Sequence, residues 1–313
     1  VSIDDQTQSV TVPSVTAALA WLGNRFVYTG ERLSMGSGHA CVVQADSTAS
    51  CAGSNTWGQT KPQQTTGGMF QREVHRFKSV SAGDILSCGV LNRYDTAVCW
   101  GKRMNAFSKL FPSSNQIVNP PTDRFLSVSA GWGYACGITT NREVKCWGSG
   151  DDTIFRGGNF LQVSLNRFAW GGHACAVTVD NRIECVEGHR PKQEKNQYGE
   201  VSPPAGQFSF VSVGEQHSCG IRDNATVECW GGKKNVSGLF PEIYAQRHPA
   251  TAATKYRSLS AGRYHTCAVS VDGRVDCWGS NRSGESTPPS ISAVAVSAGS
   301  YRTCAVTTDD EVV

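Results

Sequence analysis

The sequence predicts an all-β fold in which one small unit of sheet is repeated around a closed ring. Three observations support this: a unit recurs seven times, cysteines are paired within it at an almost constant spacing, and 313 residues allow about 44 per unit. Self-similarity at such a period indicates a repeat architecture, because one unit cannot bury its own apolar face. We therefore expect one domain over residues 1–313.

Each unit has the form SLSAGRYHTCAVSVDGRVDCWG, which occupies residues 258–279. The alternating run at its start predicts a half-buried strand, and a hairpin framed by two cysteines follows. Residues 1–31 precede the units, and strand-like runs there lead us to expect that this segment completes the last unit. The units lie near residues 32–58, 77–101, 125–150, 160–188, 208–232, 256–281 and 294–313, the last of them truncated.

Glycine and tryptophan mark two further positions of the unit. A glycine five residues before the first cysteine permits a backbone bend or a close approach between strands, and only the fourth copy departs, with Trp170 in that place. A tryptophan after the second cysteine is expected to pack against the next sheet, on the face opposite the disulfide, rather than to form a ligand cage. These residues are Gly36, Gly83, Gly131, Gly214, Gly262, Gly299, Trp100, Trp147, Trp230 and Trp278.

The cysteine spacing predicts a disulfide inside each hairpin. If Val271-Asp272-Gly273 is a three-residue loop with Gly273 left-handed, Cys267 faces Cys277 in a non-hydrogen-bonded pair with Cα atoms about 4.5 Å apart. Asn181 suits the left-handed position in its own hairpin, whereas Ser47, Arg142 and Ala225 suit it less well. The rival explanation, zinc, favours CxxC pairs, which are lacking here. The predicted bonds are Cys41–Cys51, Cys88–Cys99, Cys136–Cys146, Cys175–Cys185, Cys219–Cys229 and Cys267–Cys277.

Cys304 is predicted to be unpaired in this chain. Its partner position falls directly after Val313, so we expect the natural chain to continue; the alternative is a free or intermolecular thiol. Thirteen cysteines in regular pairs indicate an oxidising compartment. We therefore expect an extracellular or cell-surface location through the secretory pathway.

The runs AGRYHTCAV, DGRVDCWGSN and CAGSNTWGQ resemble repeats of the RCC1 superfamily. The paired cysteines and the CWG ending are similar to its secreted branch, which includes ectodomains of plant crinkly-type receptor kinases and repeat-bearing bacterial and protist surface proteins. The resemblance implies a seven-bladed β-propeller with one disulfide inside the hairpin of each blade. It implies no single function, because members bind different partners, and the nucleotide exchange of the chromatin-bound members is not expected here.

Two linkers between hairpins mix aromatic with basic residues and are candidate contact patches, since loops on a rigid scaffold carry recognition. The alternative is that these are solvated charges beside an outer strand. Three N-x-[ST] sequons are predicted glycosylation sites, which would suit secretion. The patch residues are Arg103, Phe107, Lys109, Phe111, Lys233, Lys234, Tyr244 and Arg247, and the sequons are Asn224, Asn235 and Asn281.

Catalysis is not expected. No phosphate-binding glycine loop, nucleophile elbow or HExxH is found, so we predict no enzyme, no catalytic residue, no metal site and no cofactor. The net charge of +3 argues against a nucleic-acid partner. The sequence contains no run of 18 apolar residues, so no membrane span is predicted. Four histidines share the position two before the first cysteine, and we expect them to satisfy backbone groups rather than bind metal; they are His39, His173, His217 and His265.

The function predicted is a non-catalytic extracellular recognition module, such as a receptor ectodomain, that binds a protein or peptide partner through loops on one face of the propeller. One alternative is a structural subunit that contacts copies of itself in an extracellular fibre, coat or wall. Another is a carbohydrate-binding propeller lectin with a glycan ligand. Near-identical pockets between blades would favour the lectin, and one asymmetric patch would favour a protein partner.

Overall fold

The computed structural model describes most of the repeated region. The described residues are 32–62, 74–101, 119–148, 155, 157–167, 172–187, 198–232 and 253–313, with four short strands before residue 32. The strands are β1 (Ser2–Ile3), β2 (Val10–Thr11), β3 (Leu19–Leu22) and β4 (Arg25–Tyr28), of which β1 pairs with β2 and β3 with β4. That residues 1–31 complete the last unit stays a prediction.

The seven predicted units form seven antiparallel sheets, six of three strands and a last one of two, β23–β24, among the described residues. Each sheet follows chain order, with a hairpin between its second and third strands. We number the sheets as blades 1 to 7. They are β5 (Leu33–Met35), β6 (His39–Val43), β7 (Ala49–Gly53); β8 (Phe77–Ala82), β9 (Leu86–Leu91), β10 (Ala97–Gly101); β11 (Phe125–Ala130), β12 (Tyr134–Thr139), β13 (Val144–Gly148); β14 (Phe160–Leu165), β15 (His173–Thr178), β16 (Ile183–Glu187); β17 (Phe208–Val213), β18 (His217–Arg222), β19 (Val227–Gly231); β20 (Tyr256–Ala261), β21 (His265–Ser270), β22 (Val275–Gly279); β23 (Ala293–Ala298), β24 (Thr303–Thr307).

The hairpins of the six three-stranded blades each contain the predicted disulfide. The two cysteines of every pair lie directly opposite each other in the strand register, with Cα atoms 3.9–4.1 Å apart. In blade 6 the Ser270 N–H donates to the Arg274 carbonyl at 2.9 Å, which makes Cys267–Cys277 a non-hydrogen-bonded pair by alternation. The short Cα separation is the one that such a pair requires, so the spacing argument is confirmed.

The hairpin tips also link each blade to the next. Gly273 has φ +94° as predicted, and residues other than glycine take the same left-handed region in the other blades. In blades 1 to 6 the carbonyl of the left-handed residue accepts the N–H that opens the first strand of the next blade, as in Tyr256 to Ala225 at 2.7 Å and Ala293 to Gly273 at 2.8 Å. The left-handed residues other than glycine are Ser47, Asp95, Arg142, Asn181, Ala225 and Asp310.

Serines of the first strands close the seven blades into a ring. Each buried hydroxyl accepts a backbone N–H from the next blade, and the circuit ends where Ser297 of blade 7 accepts from Met35 of blade 1 at 2.9 Å. A circuit that returns to its first member shows a closed seven-bladed propeller. The other acceptor and donor pairs are Ser34 with Ala82, Ser81 with Ala130, Ser129 with Leu165, Ser164 with Val213, Ser212 with Ala261 and Ser260 with Ala298, all at 2.9–3.1 Å.

The predicted glycines lie where these first strands end, and they bring neighbouring blades into backbone contact. A Cβ added to Gly214 would lie 2.6 Å from the carbonyl oxygen of Gly262, and one added to Gly299 would lie 2.7 Å from that of Gly36. Such separations are too short for any side chain. At these two positions glycine is therefore required for the close approach of blades. We call the place where the first strand of each blade ends the ring position.

In blade 4 the ring position belongs to Asn166, whereas the count back from the cysteine gave Trp170, which lies outside the described residues. The Asn166 N–H donates to the His173 carbonyl at 3.0 Å, in the way that Gly131 donates to Tyr134. Asn166 lies nine positions before Cys175, whereas elsewhere the glycine lies five positions before the first cysteine. The extra residues therefore lengthen the loop after the ring position, where a count back from the cysteine does not find them.

The tryptophans occupy the interfaces between blades, as predicted, but they pack against the preceding blade and not against the next one. Each indole meets the aromatic ring that opens the first strand of its own blade edge-on or at a tilt, with ring centroids 5.4–6.4 Å apart in blades 2, 3, 5 and 6. The other side of the indole packs against the preceding blade: Trp147 shares a buried cluster with Cys88 and Cys99. The core is thus a set of layers, in which a disulfide of one blade lies against an indole of the next.

Candidate functional site

The residues predicted to bind a partner lie in segments 102–118 and 233–250, outside the described residues. Of the three sequons, Asn224 and Asn281 are described and both are exposed, and Asn235 is not described. Asn224 sits at the tip of the blade 5 hairpin, where its side-chain oxygen accepts the Thr226 N–H at 3.0 Å. Glycosylation and contact through those linkers stay predictions.

The four equivalent histidines are structural, and they bond to hydroxyls rather than to the backbone groups we expected. The Nε2 atom of each lies 2.7–2.9 Å from the hydroxyl of the next blade's residue before its first cysteine. Burial lowers the pKa of His217 to about 3 and that of His265 to about 4, so they are neutral at pH 7. The hydroxyl partners are Ser87, Ser218, Thr266 and Thr303.

The loops that follow the ring position differ from blade to blade, although the positions around them repeat. We call them the axial loops, because they surround the centre of the ring. In blade 4 the Arg167 guanidinium crosses that centre and donates to the Met35 carbonyl of blade 1 at 2.8 Å. The first residues of the axial loops are Ser37, Asp84, Trp132, Arg167, Glu215, Arg263 and Ser300.

Three neighbouring axial loops build one cluster of side chains, Glu215, Arg263, Tyr264 and Tyr301, which we call the axial cluster. Arg263 is its centre: Nε donates to the Glu215 carboxylate at 2.5 Å, and a terminal nitrogen donates to the Tyr301 hydroxyl at 2.8 Å. The guanidinium carbon lies 5.1 Å from the ring centroid of Tyr264 and 5.7 Å from that of Tyr301. The cation is thus held by one carboxylate and two aromatic rings.

Burial differs across the axial cluster in a way that suits binding. Glu215 is buried, at 8% exposure, whereas Tyr301 is 46% exposed. Burial, followed by the Glu215 carboxylate, raises the pKa of Tyr264, so this phenol stays protonated at neutral pH. The buried Glu215 carboxylate holds the Arg263 guanidinium in place, and the guanidinium in turn holds the exposed Tyr301 side chain through its hydroxyl. The cluster offers a rigid aromatic surface beside a cation, the composition of interface hot spots.

Sequence reasoning missed the axial cluster because its members lie in three different units. A signal was nevertheless present: within AGRYHTC and AGSYRTC the residues next to the repeated pattern of the unit are aromatic and basic, and no other unit has the same residues there. Within the described ranges no three His, Cys, Asp or Glu side chains gather as metal ligands. The described part of the chain also has no helix of a length and apolarity that would cross a membrane.

A family model of the Regulator of chromosome condensation (RCC1) repeat matches residues 125–152 and 256–285, which are the third and sixth units. Two of the seven units thus match the RCC1 repeat by sequence. The disulfide register of these two units recurs in blades 1, 2, 4 and 5, and the serine circuit includes all seven blades. The resemblance predicted from the cysteine hairpins is confirmed, and so is the seven-bladed propeller.

The proteins similar to this chain include a plant kinase-like protein and the ectodomain of a plant receptor kinase. The serine/threonine-protein kinase-like protein CCR4 of Arabidopsis thaliana is 28% identical over 213 residues, 56% of this chain. The match spans 25% of that relative's length. The CRINKLY WD40 ectodomain of the Arabidopsis thaliana receptor kinase ACR4 has a TM-score of 0.65 at 22% identity, covering 90% of this chain and 96% of that one.

Two further solved structures share the fold. The entire ectodomain of the Physcomitrella patens receptor kinase CR4 has a TM-score of 0.65 at 19% identity, and covers 89% of this chain and 70% of that one. Prp20p of Saccharomyces cerevisiae has a TM-score of 0.61 at 14% identity, and covers 87% of this chain and 81% of that one. At such identities the likeness concerns the propeller itself, on which different functions are built.

Proposed function

We propose that this chain is a non-catalytic, extracellular recognition module of the receptor-ectodomain type, which binds a protein or peptide partner through its axial loops. Its likeness to the crinkly-type ectodomains supports the type of module. Six hairpin disulfides support an oxidising compartment, since cytosolic proteins rarely keep such bonds. The propeller supplies a rigid frame, and the loops supply specificity.

The axial cluster is the reason for placing the binding site on the face formed by the axial loops. It is asymmetric: blades 5, 6 and 7 build it, and the axial loops of blades 1 and 2 begin with Ser37 and Asp84. A lectin of the repeated type would present near-identical pockets between blades instead. An exposed tyrosine over an arginine that is itself held by a buried carboxylate is pre-organised, so binding to it costs little side-chain entropy.

The test compares two exposed tyrosines at opposite ends of the sheets. Peptides would be selected on the immobilised chain from a display library of random linear peptides, and their affinities measured for Tyr301→Ala. We expect a loss of about tenfold or more, the effect of removing a hot-spot aromatic. Tyr94 is the matched control, since it is 49% exposed at a hairpin tip with Arg93 5.2 Å over its ring.

Tyr94→Ala should leave the affinities unchanged, because hairpin tips and axial loops lie at opposite ends of each second strand. Equal binding of the selected peptides to the wild-type chain and to Tyr301→Ala would place recognition elsewhere. A loss with Tyr94→Ala alone would move the site to the face of the hairpin tips.

A further inference from the structure

The hydroxyl of Tyr301 is a hydrogen-bond donor whose proton no residue of the described part of the chain accepts. Its oxygen accepts a guanidinium N–H of Arg263 at 2.8 Å. The side chain is 46% exposed, so the proton is left to water or to a partner. A phenol oxygen that accepts from a cation is polarised, and its own O–H becomes a stronger donor. The hydroxyl therefore suits an acceptor of the partner, and above all a charged one.

The axial cluster is not suited to a cationic ligand. Arg263 already lies beside both tyrosine rings, with its guanidinium carbon 5.1 Å from the centroid of Tyr264 and 5.7 Å from that of Tyr301. The carboxylate of the cluster belongs to Glu215, which accepts from Arg263 and is only 8% exposed. A lysine or arginine of a partner would therefore approach a like charge and find no accessible carboxylate.

The residue after Tyr301 adds a positive charge that the cluster does not compensate. Arg302 is exposed, and no carboxylate within the described ranges forms an ion pair with it. It has the position that histidine holds in four blades, where Leu86 of blade 2 and Tyr134 of blade 3 are buried. In blade 1 the place of the hydroxyl that those histidines contact is taken by Ala40. The Arg302 guanidinium thus lacks the partner that the repeated pattern would provide.

We propose that the partner peptide is bound through a carboxylate, which accepts the Tyr301 hydroxyl proton and pairs with the Arg302 guanidinium. This inference rests on the proposed function and names the chemistry of its ligand. The carboxylate belongs to an Asp or Glu side chain or to the C-terminus of the peptide, since both present the same two oxygens. Glu215 and Arg263 are positioning residues, because they hold the phenol in place and leave the carboxylate to its two neighbours.

The experiment uses peptides selected on the immobilised chain from a random library in which every peptide ends in a free carboxylate. Their affinities are compared between the wild-type chain and two single variants. Tyr301→Phe keeps the ring and removes the donor, and it should weaken binding about threefold to tenfold. Arg302→Gln removes an exposed charge and should weaken binding about twofold to fivefold. Added salt should weaken binding to the wild-type chain more than to Arg302→Gln, because salt screens the ion pair.

Matched control variants lie at the other end of the sheets. Tyr94→Phe removes the hydroxyl of a tyrosine that is 49% exposed at the blade 2 tip, and Arg142→Gln removes an exposed charge at the blade 3 tip. Both should bind the selected peptides as the wild-type chain does. Melting temperatures equal to that of the wild-type chain would show that all four variants are folded.

Changes in the peptide identify the source of the carboxylate. Each selected peptide is made with Asn or Gln in place of Asp or Glu, and separately with an amidated C-terminus. One of these two changes should weaken binding to the wild-type chain. The same change should have little further effect on the variant that combines Tyr301→Phe with Arg302→Gln, because coupled partners give a non-additive loss.

Failure of this inference differs from failure of the proposed function. If Tyr301→Ala weakens binding while Tyr301→Phe and Arg302→Gln do not, the ring alone is recognised, and the carboxylate is overturned although the axial site stands. Peptides whose affinity survives both neutralisations overturn it as well. Equal binding to the wild-type chain and to Tyr301→Ala would overturn the axial site and this inference together.

Discussion

Ala225 has φ +66° at the tip of the blade 5 hairpin, where most residues with a Cβ atom are strained. Its carbonyl accepts the Tyr256 N–H of blade 6 at 2.7 Å, so the strained conformation is held by the contact between blades. The equivalent residue of blade 6 is Gly273, which takes the same conformation without a steric penalty. The two hairpins thus make the same link between blades at different conformational cost.

Replacing Ala225 with glycine should therefore stabilise the protein by about 0.5–1 kcal/mol, because relief of the left-handed strain exceeds the added freedom of the unfolded chain. Urea unfolding followed by tryptophan fluorescence would measure the change. Asn181→Gly is the matched control and should gain less, since asparagine tolerates this conformation. Equal or lower stability of the Ala225 variant would mean that strain at the tip is negligible.

At this scale the sequence predicted only part of the structure. Gly273 and Asn181 revealed the left-handed position because their chemistry favours it. Ser47, Arg142 and Ala225 did not, since the reason for their conformation is a hydrogen bond to a residue 18 to 31 positions later in the chain. Local preference is overridden where a link between blades requires a given φ.

The hairpin is the element that the sequence specified best. Its two cysteines face each other because the length of the loop sets the register, and both the loop length and the cysteine spacing can be counted along the chain.

Removing the Cys219–Cys229 disulfide by Cys219→Ala with Cys229→Ala should lower the free energy of unfolding by about 2–3 kcal/mol, the loop-entropy value for about ten residues. Urea unfolding would measure this loss. Cys304→Ala, which breaks no disulfide, should cost clearly less, and equal losses would show that the bond itself contributes little.

The first strands were predicted less fully than the hairpins. Their alternation indicated one buried and one solvated face, yet Ser212 and Ser260 are buried and accept N–H groups of the next blade. A small hydroxyl suits a narrow interface in which a backbone donor has no partner in its own sheet. Alternation identifies the strand, but it does not tell whether its polar face meets water or a neighbouring blade.

The whole ring determines features that no single unit contains. The axial cluster combines Glu215, Arg263 and Tyr301 from three blades, and Arg167 reaches blade 1 from blade 4 across the centre. Period and composition predict that such a ring closes, but they do not say which loop residues will be neighbours. The same holds for the buried histidines, whose hydroxyl partners come from the following blade.

Those histidines should make the stability of the ring depend on pH. Burial, assisted by the charge of Arg167, lowers the pKa of His39 to about 4, and burial lowers those of His217 and His265 to about 3 and about 4. In the unfolded chain the pKa is about 6.5. Between these values the unfolded state binds more protons, so stability falls as the pH falls from 6.5 and levels off at the folded pKa values.

Each of these histidines should therefore reduce the free energy of unfolding by up to about 1.4 kcal/mol per pH unit between pH 6 and 5. Urea unfolding at several pH values would give the slope. His217→Leu introduces the residue that blade 2 carries as Leu86, and it should remove roughly a third of the slope due to the three histidines. The variant also loses the hydrogen bond between His217 and Thr266, which lowers its stability at every pH. The test is therefore the slope of stability against pH, and not the stability at pH 7. An unchanged slope would mean that the imidazole of His217 is protonated within the folded ring.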